Sequence, residues 1–182
     1  MSIQDIVDAL KELIVPSTVR TAKVERSLTA AGDYAAEDVL SNSATAGVAT
    51  AWEFSGLVRK PGGKCLLIGA KAMLQTTNLT PRLSLYLFSA KPTSELRDNV
   101  ANTAVLYADR RFYLGQIDLP ALEDLGGMSV AIASPSTTGN LPIAFTCEPG
   151  DSKIYAIVVT RDAITAEVAG DTLAIELQGE PY

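Results

Sequence analysis

The chain of 182 residues contains no histidine. That absence removes Ser-His-Asp and Cys-His catalysis, histidine-ligated metal centres and cupin-type metal chemistry. Cysteine is scarce. Cys65 and Cys147 are the only two, and two thiols without an imidazole cannot supply the usual zinc ligand set. Both fall in strand-like segments and read as buried thiols acting as small hydrophobes. A disulfide between them is disfavoured in a reducing compartment. Aromatics are few, at 6% of residues, so any sugar-stacking platform would draw on a handful of side chains. Concentrated positive charge is also missing. The 15 Lys and Arg residues are scattered, Arg59-Lys60 and Arg110-Arg111 are the densest pairs, and the net charge is -6. A nucleic-acid binder needs a basic stripe to neutralise phosphates, so no nucleic-acid partner is expected. The longest apolar run, residues 65–74, is broken by Lys71. It is far short of the roughly 20 residues that span a bilayer as a helix, so no membrane partner is expected. No basic stretch precedes an apolar core at the start, and the chain is expected to be produced in the cytoplasm.

What the sequence does contain is enough apolar character for a core. The hydrophobic fraction is 47%, and a chain of this length buries about two-thirds of its unfolded surface. The opening residues read as a short helix. Ser2 can act as N-cap with Asp5 three residues on, a capping-box spacing. Ile3, Ile6, Leu10 and Leu13 recur at three- and four-residue steps and share one face, widened by Val7 and Ile14. Pro16 stops the pattern. A helix of about 13 residues is marginal alone, so this face must dock, either on its own domain or on a neighbouring subunit. Ile3, Ile6, Leu10 and Leu13 are therefore the candidate partner-interface residues.

After Pro16 the period changes to two. Strands are predicted over residues 18–28, 51–58, 65–74, 83–88, 111–119, 128–133, 141–147, 153–160 and 173–178. Trp52, Phe54 and Val58 share one face, as do Leu83, Leu85 and Leu87, and Leu173, Ile175 and Leu177. In residues 65–74 strict alternation places Leu66, Ile68, Ala70, Ala72 and Leu74 together. Pro61-Gly62-Gly63 reads as a tight hairpin. Ala31-Gly32-Asp33, Gly126-Gly127, the polar run 134–140 and Glu148-Pro149-Gly150-Asp151 read as turns or loops. Residues 93–102 read as a helical or loop excursion, and 121–125 as one helical turn. Many short strands at regular spacing indicate a mainly β fold, an antiparallel sandwich of jelly-roll type. The division is a helical arm over 1–16 and a β-sandwich domain over 17–182.

No segment assembles a recognisable reaction centre. Glu53, Asp109, Glu123 and Asp124 are acids that could serve a carboxylate-dependent hydrolase, but any soluble protein has acidic residues, and surface solvation or turn capping is the better account of them. Asp33 and Asp38 flank Tyr34 and hint at a cation site without an oxygen-rich loop. Pro61-Gly62-Gly63-Lys64 lacks the first glycine and the following hydroxyl of a phosphate loop. No catalytic, cofactor-binding or metal-ligating residue is assigned, no cofactor is expected, and the chain reads as a non-enzyme.

Two segments carry a resemblance. The first is Tyr34-Ala35-Ala36-Glu37-Asp38-Val39-Leu40. The second runs from Leu85-Tyr86-Leu87-Phe88 through Pro92 and Asp98-Asn99 to Tyr107-Ala108-Asp109 and Tyr113-Leu114-Gly115. In this order they resemble structural proteins of tailed bacteriophages, including the β-jelly-roll cement or decoration proteins of their capsids. The resemblance covers most of the chain from Val19 onward. It implies a virion protein on the capsid surface that binds the major capsid protein, stabilises contacts between capsid subunits and self-associates, as a homotrimer. The alternative is a carbohydrate-binding jelly-roll adhesion module of a tail or head fibre. From the residues themselves, Asp38 should bond backbone at a turn, Asp98-Asn99 should form a turn or cap, and Gly115 should mark a bulge or close packing.

Overall fold

In the computed structural model, residues 19–28, 33–77, 79–135, 140–165 and 170–182 are described. The predicted helix with Ile3, Ile6, Leu10 and Leu13 lies outside them, as do most of the 31–33 turn and the centre of the 134–140 loop. The described residues form eleven strands, the nine predicted segments plus two short ones, β2 and β7: β1 (Arg20–Ser27), β2 (Val39–Leu40), β3 (Trp52–Ser55), β4 (Lys64–Leu74), β5 (Leu83–Phe88), β6 (Tyr113–Leu119), β7 (Glu123–Asp124), β8 (Ser129–Ala133), β9 (Ile143–Thr146), β10 (Lys153–Thr160) and β11 (Thr172–Pro181).

Sheet I runs β1-β11-β4-β8-β7, with β9 also paired to β4. Sheet II runs β2-β10-β5-β6, with β3 also paired to β10. Every pairing is antiparallel. β2 and β3 act as one interrupted strand along β10, and β8 and β9 as one along β4. The pairs then nest: β1 with β11, β2/β3 with β10, β4 with β8/β9, and β5 with β6. Successive pairs fall in alternate sheets. That is a long antiparallel ribbon rolled upon itself, the jelly-roll arrangement.

The inner faces meet in one core. Leu83, Leu85 and Leu87 of β5 and Ile154, Ala156 and Val158 of β10 face Leu67, Ala70, Ala72 and Leu74 of β4 and Leu173, Ile175 and Leu177 of β11. Each large side chain so buried stabilises the fold by about 1.5–3 kcal/mol. Trp52 is fully buried, and its indole Nε1–H donates to the Leu40 carbonyl at 2.9 Å. The aromatic thus leaves no unpaired donor in the core.

Three expectations need correction. First, Leu66 and Ile68 do not share a face with Ala70, Ala72 and Leu74. The register against β11 shifts between Gln178 and Gly179, and Ile68 has no partner. One extra residue on β4 reverses the parity, so Cys65 and Leu67 point inward on one side of the bulge and Ala70 on the other. Second, Pro61-Gly62-Gly63 does form a turn, closed by Gly63 N–H donating to the Lys60 carbonyl at 2.9 Å. It is not a hairpin, because β3 pairs with β10 in sheet II while β4 belongs to sheet I. Third, residues 121–125 are not a helical turn. β7 pairs with β8 around Gly126-Gly127, where Leu125 N–H donates to Met128 O and Gly126 takes φ 83°.

Two substitutions test the core. Leu87→Ala should lose about 2–5 kcal/mol in urea denaturation, through lost burial and a residual cavity. Gly179→Ala would drive its new Cβ into the Cys65 Sγ and should cost about 1–3 kcal/mol. Adding Cys65→Ala should restore part of that loss, and no restoration would show that the clash is not the cause.

Candidate functional site

Most of the groups capable of chemistry have structural partners or are buried. Cys65 and Cys147 are free thiols and both are buried. Burial first, then the proximity of Cys147, pushes the Cys65 thiol up to about 11. Burial, followed by Asp151 and Glu148, pushes Cys147 up to about 11. Neither provides thiolate near neutral pH, so neither is an activated nucleophile. Glu53 pairs with Lys153 at 2.9 Å. Glu123 and Asp124 sit exposed on β7, and the Asp124 carboxylate accepts Gly126 N–H at 2.7 Å. Asp38 accepts Ala35 N–H at 2.8 Å, as expected of a turn residue. Among the described residues no three acidic or thiol groups converge to hold a metal. An apolar cavity lined by Leu28, Leu40, Leu79, Leu83 and Ile164 offers about 10 Å³, no more than a single water requires.

The distinctive feature is the connection between β5 and β6, residues 89–112, which lies over the outer face of sheet II. It builds a second apolar cluster there. Val39, Phe88, Ile157 and Val159 form its buried floor, and Leu96, Ala104, Val105 and Phe112 pack on it from the loop. A buried loop must satisfy its backbone polar groups, and two carboxylates do much of this. Asp109 accepts from Thr93 N–H and Oγ1–H at 2.9 and 2.7 Å, and from Ser94 N–H and Oγ–H at 2.8 and 2.7 Å. Asp98 accepts Ser41 N–H at 2.7 Å and the Tyr34 hydroxyl at 2.9 Å. Burial raises the Asp109 pKa, but the hydrogen bonds from Ser94 and Thr93 outweigh it, leaving the carboxyl below its ordinary value. Nearby, the Arg97 guanidinium holds Glu95 down to about 2.

The lid is where the resemblance residues come together. Tyr34, Asp98 and Asp109 fasten it, and Val39 and Phe88 floor it. Sequence reading placed Asp98-Asn99 in a turn, and Asn99 does adopt φ 54°. It missed the long-range bonds, because nothing in the spacing of Tyr34 and Asp98 marks them as partners. Gly115 behaves as expected. Its φ is 142°, the register slips beside it, and a Cβ there would lie 3.3 Å from Ile143 Cδ1.

Sheet I is finished differently. Its outer face carries Leu66, Ile68 and Met73 on β4 and Val130 and Ile132 on β8. Ile132 is 56% exposed, and none of the five belongs to either apolar cluster. Sheet edges are poor docking sites by contrast, since exposed edges are blunted. β7 and β2 have two residues each and β3 has four. β6 is kinked at Leu114–Gly115. β1 is bridged to the segments flanking β3 by Arg20 donating to Val58 O and Arg26 donating to Thr50 O and Ala51 O.

No protein-family model and no curated protein matches the chain. Among solved structures, a chain from the structure of a marine algae virus of the order Picornavirales is 12% identical over 92% of this chain and 70% of that one, with a TM-score of 0.26. At that score the superposition does not establish a common arrangement of strands. The fold assignment rests on strand order alone.

Removing the Asp109 carboxylate should release the lid. Asp109→Ala leaves the buried Thr93 and Ser94 donors unpaired and should cost about 2–3 kcal/mol, with new proteolytic cleavage within residues 89–112. Acid should act in the same way. A carboxyl with a depressed folded pKa stabilises above its unfolded value of about 4 and loses that contribution as pH falls through the folded one. Hydrogen exchange should therefore find the lid protected at pH 5 and opening progressively below about pH 4.

Proposed function

We propose that the protein is a structural component of a tailed-phage virion, a cement protein that binds the major capsid protein on the outside of the head and stabilises contacts between capsid subunits as a homotrimer. The observation that carries this reading is the unequal finish of the two outer faces. Sheet II is sealed by the protein's own loop, whereas the outer face of sheet I keeps Leu66, Ile68, Met73, Val130 and Ile132 around the Lys71–Glu176 ion pair. A face of this kind is suited to association. The resemblance of the Tyr34–Leu40 and Leu85–Gly115 segments supplies the phage context. The work done is passive: repeated weak contacts around a symmetric shell add through multivalency.

A second reading, a carbohydrate-binding adhesion module, draws on Tyr107. It projects from the lid at 79% exposure, with Arg110 Cζ 3.9 Å from its ring centroid. One ring face is thus taken by the guanidinium, and the other is available for stacking. Glycan binding lost in Tyr107→Ala would favour this reading over the first.

Sedimentation of the purified chain should show a trimer. Pelleting with empty capsids built from the major capsid protein of the same genome should saturate at a fixed ratio to capsomers. A monomer that stays in the supernatant would sink the cement reading.

A further inference from the structure

We propose that the tip of the lid on one copy of this chain docks on the β7–β8 turn of a second copy, guanidinium against carboxylate. This contact deepens the self-association proposed above and depends on it.

The tip is the end of the lid that leads into Tyr113. Arg110 and Arg111 are exposed there, and among the described residues neither has a carboxylate partner. Each guanidinium lies over a ring instead, Arg110 at 3.9 Å from the Tyr107 centroid and Arg111 at 4.2 Å from that of Phe112. Other surface cations are already matched: Lys23 with Glu25, Arg82 with Asp162, Arg97 with Glu95, Lys153 with Glu53 and Arg161 with Glu37. Leu106, Tyr107 and Tyr113 are exposed beside the two arginines. Asp109 holds the short turn Tyr107–Asp109 in place through its bonds from Thr93 and Ser94. A surface of tyrosine and arginine that is ordered beforehand loses little freedom on docking, and those residue types dominate the energetics of interfaces.

The β7–β8 turn is the counterpart. Glu123 and Asp124 are exposed, and among the described residues neither forms an ion pair. Leu125 and Met128 are exposed next to them. The turn is closed by Leu125 N–H donating to Met128 O at 2.9 Å. The two surfaces therefore match in charge, two guanidiniums against two carboxylates, and in apolar content. Of the nine large apolar side chains exposed among the described residues, five lie on these two short segments. An ion pair left in water is worth little, and apolar side chains around it exclude that water.

The two surfaces cannot meet within one chain. β6 lies between them, and its seven residues span about 20 Å. At its start Ser89 N–H donates to Phe112 O, and beyond its far end Leu122 N–H donates to Pro81 O. Tip and turn thus sit at opposite ends of the β5–β6 pair, and the contact has to run between copies. Because it joins unlike surfaces, it repeats by rotation and closes as a ring, three-membered in the homotrimer. It uses side chains, not strand pairing, so the shortness of β7 is no obstacle.

The test is sedimentation of the full chain at low salt. Arg110→Glu with Arg111→Glu should raise the dissociation constant of the trimer at least about tenfold, because like charges facing across an interface are costly. Glu123→Lys with Asp124→Lys should do the same. All four substitutions in one chain exchange the two signs and should restore the trimer, which a folding defect would not do. Lys60→Glu, at an exposed position on the 59–64 turn, is the control and should leave the trimer intact. Separately, Tyr107→Cys with Leu125→Cys and a short bis-maleimide should link copies into a ladder on a denaturing gel, the native thiols being buried. Absence of that ladder, or a trimer undiminished by either reversed pair, would overturn the contact and leave the self-association standing. A wild-type chain that sediments as a monomer would remove the self-association itself.

Discussion

Strand β10 is buried on both of its faces, and much of the molecule follows from that constraint. Ile154, Ala156 and Val158 point into the core between the sheets, while Ile157 and Val159 point the other way and are equally shielded. A strand of this kind in a two-layer sandwich needs a third layer on one side. Here residues 89–112 supply it, and the third layer brings a polar cost, since every backbone group it buries needs a partner.

The carboxylates of Asp98 and Asp109 meet that cost. Each is almost wholly buried, and each accepts from backbone donors that would otherwise be unpaired. Charge-assisted hydrogen bonds are the stronger class, and they explain why Asp109, an acid that could suit hydrolysis, serves architecture here. Asp109 was a reasonable catalytic candidate on residue type alone. Its four convergent donors on Thr93 and Ser94 leave it with a positioning role in the loop.

The same arrangement divides the surface. One broad face is sealed from within the chain, the edges are shortened or bridged, and the other broad face keeps its apolar side chains. The apolar side chains left at the surface of sheet I therefore lie on its broad face. This matters for a protein read as part of a symmetric assembly, because open β-edges would promote unlimited pairing.

The sequence by itself determined the class of fold, the positions of most strands and which residues of β5 and β11 share a face. Alternation is a local property, and those strands are regular enough to keep it. The absence of histidine likewise bounded the chemistry without any coordinates. Tertiary structure alone decided the rest. The parity of β4 depends on one extra residue opposite Gln178 and Gly179, and a bulge is visible only once two strands are laid in register. The turn at Pro61-Gly62-Gly63 looks the same whether its flanking strands pair with each other or part into different sheets. The Tyr34–Asp98 bond joins residues far apart in the chain, and burial makes it worth forming. Local period records which way a side chain points; only packing decides what it meets.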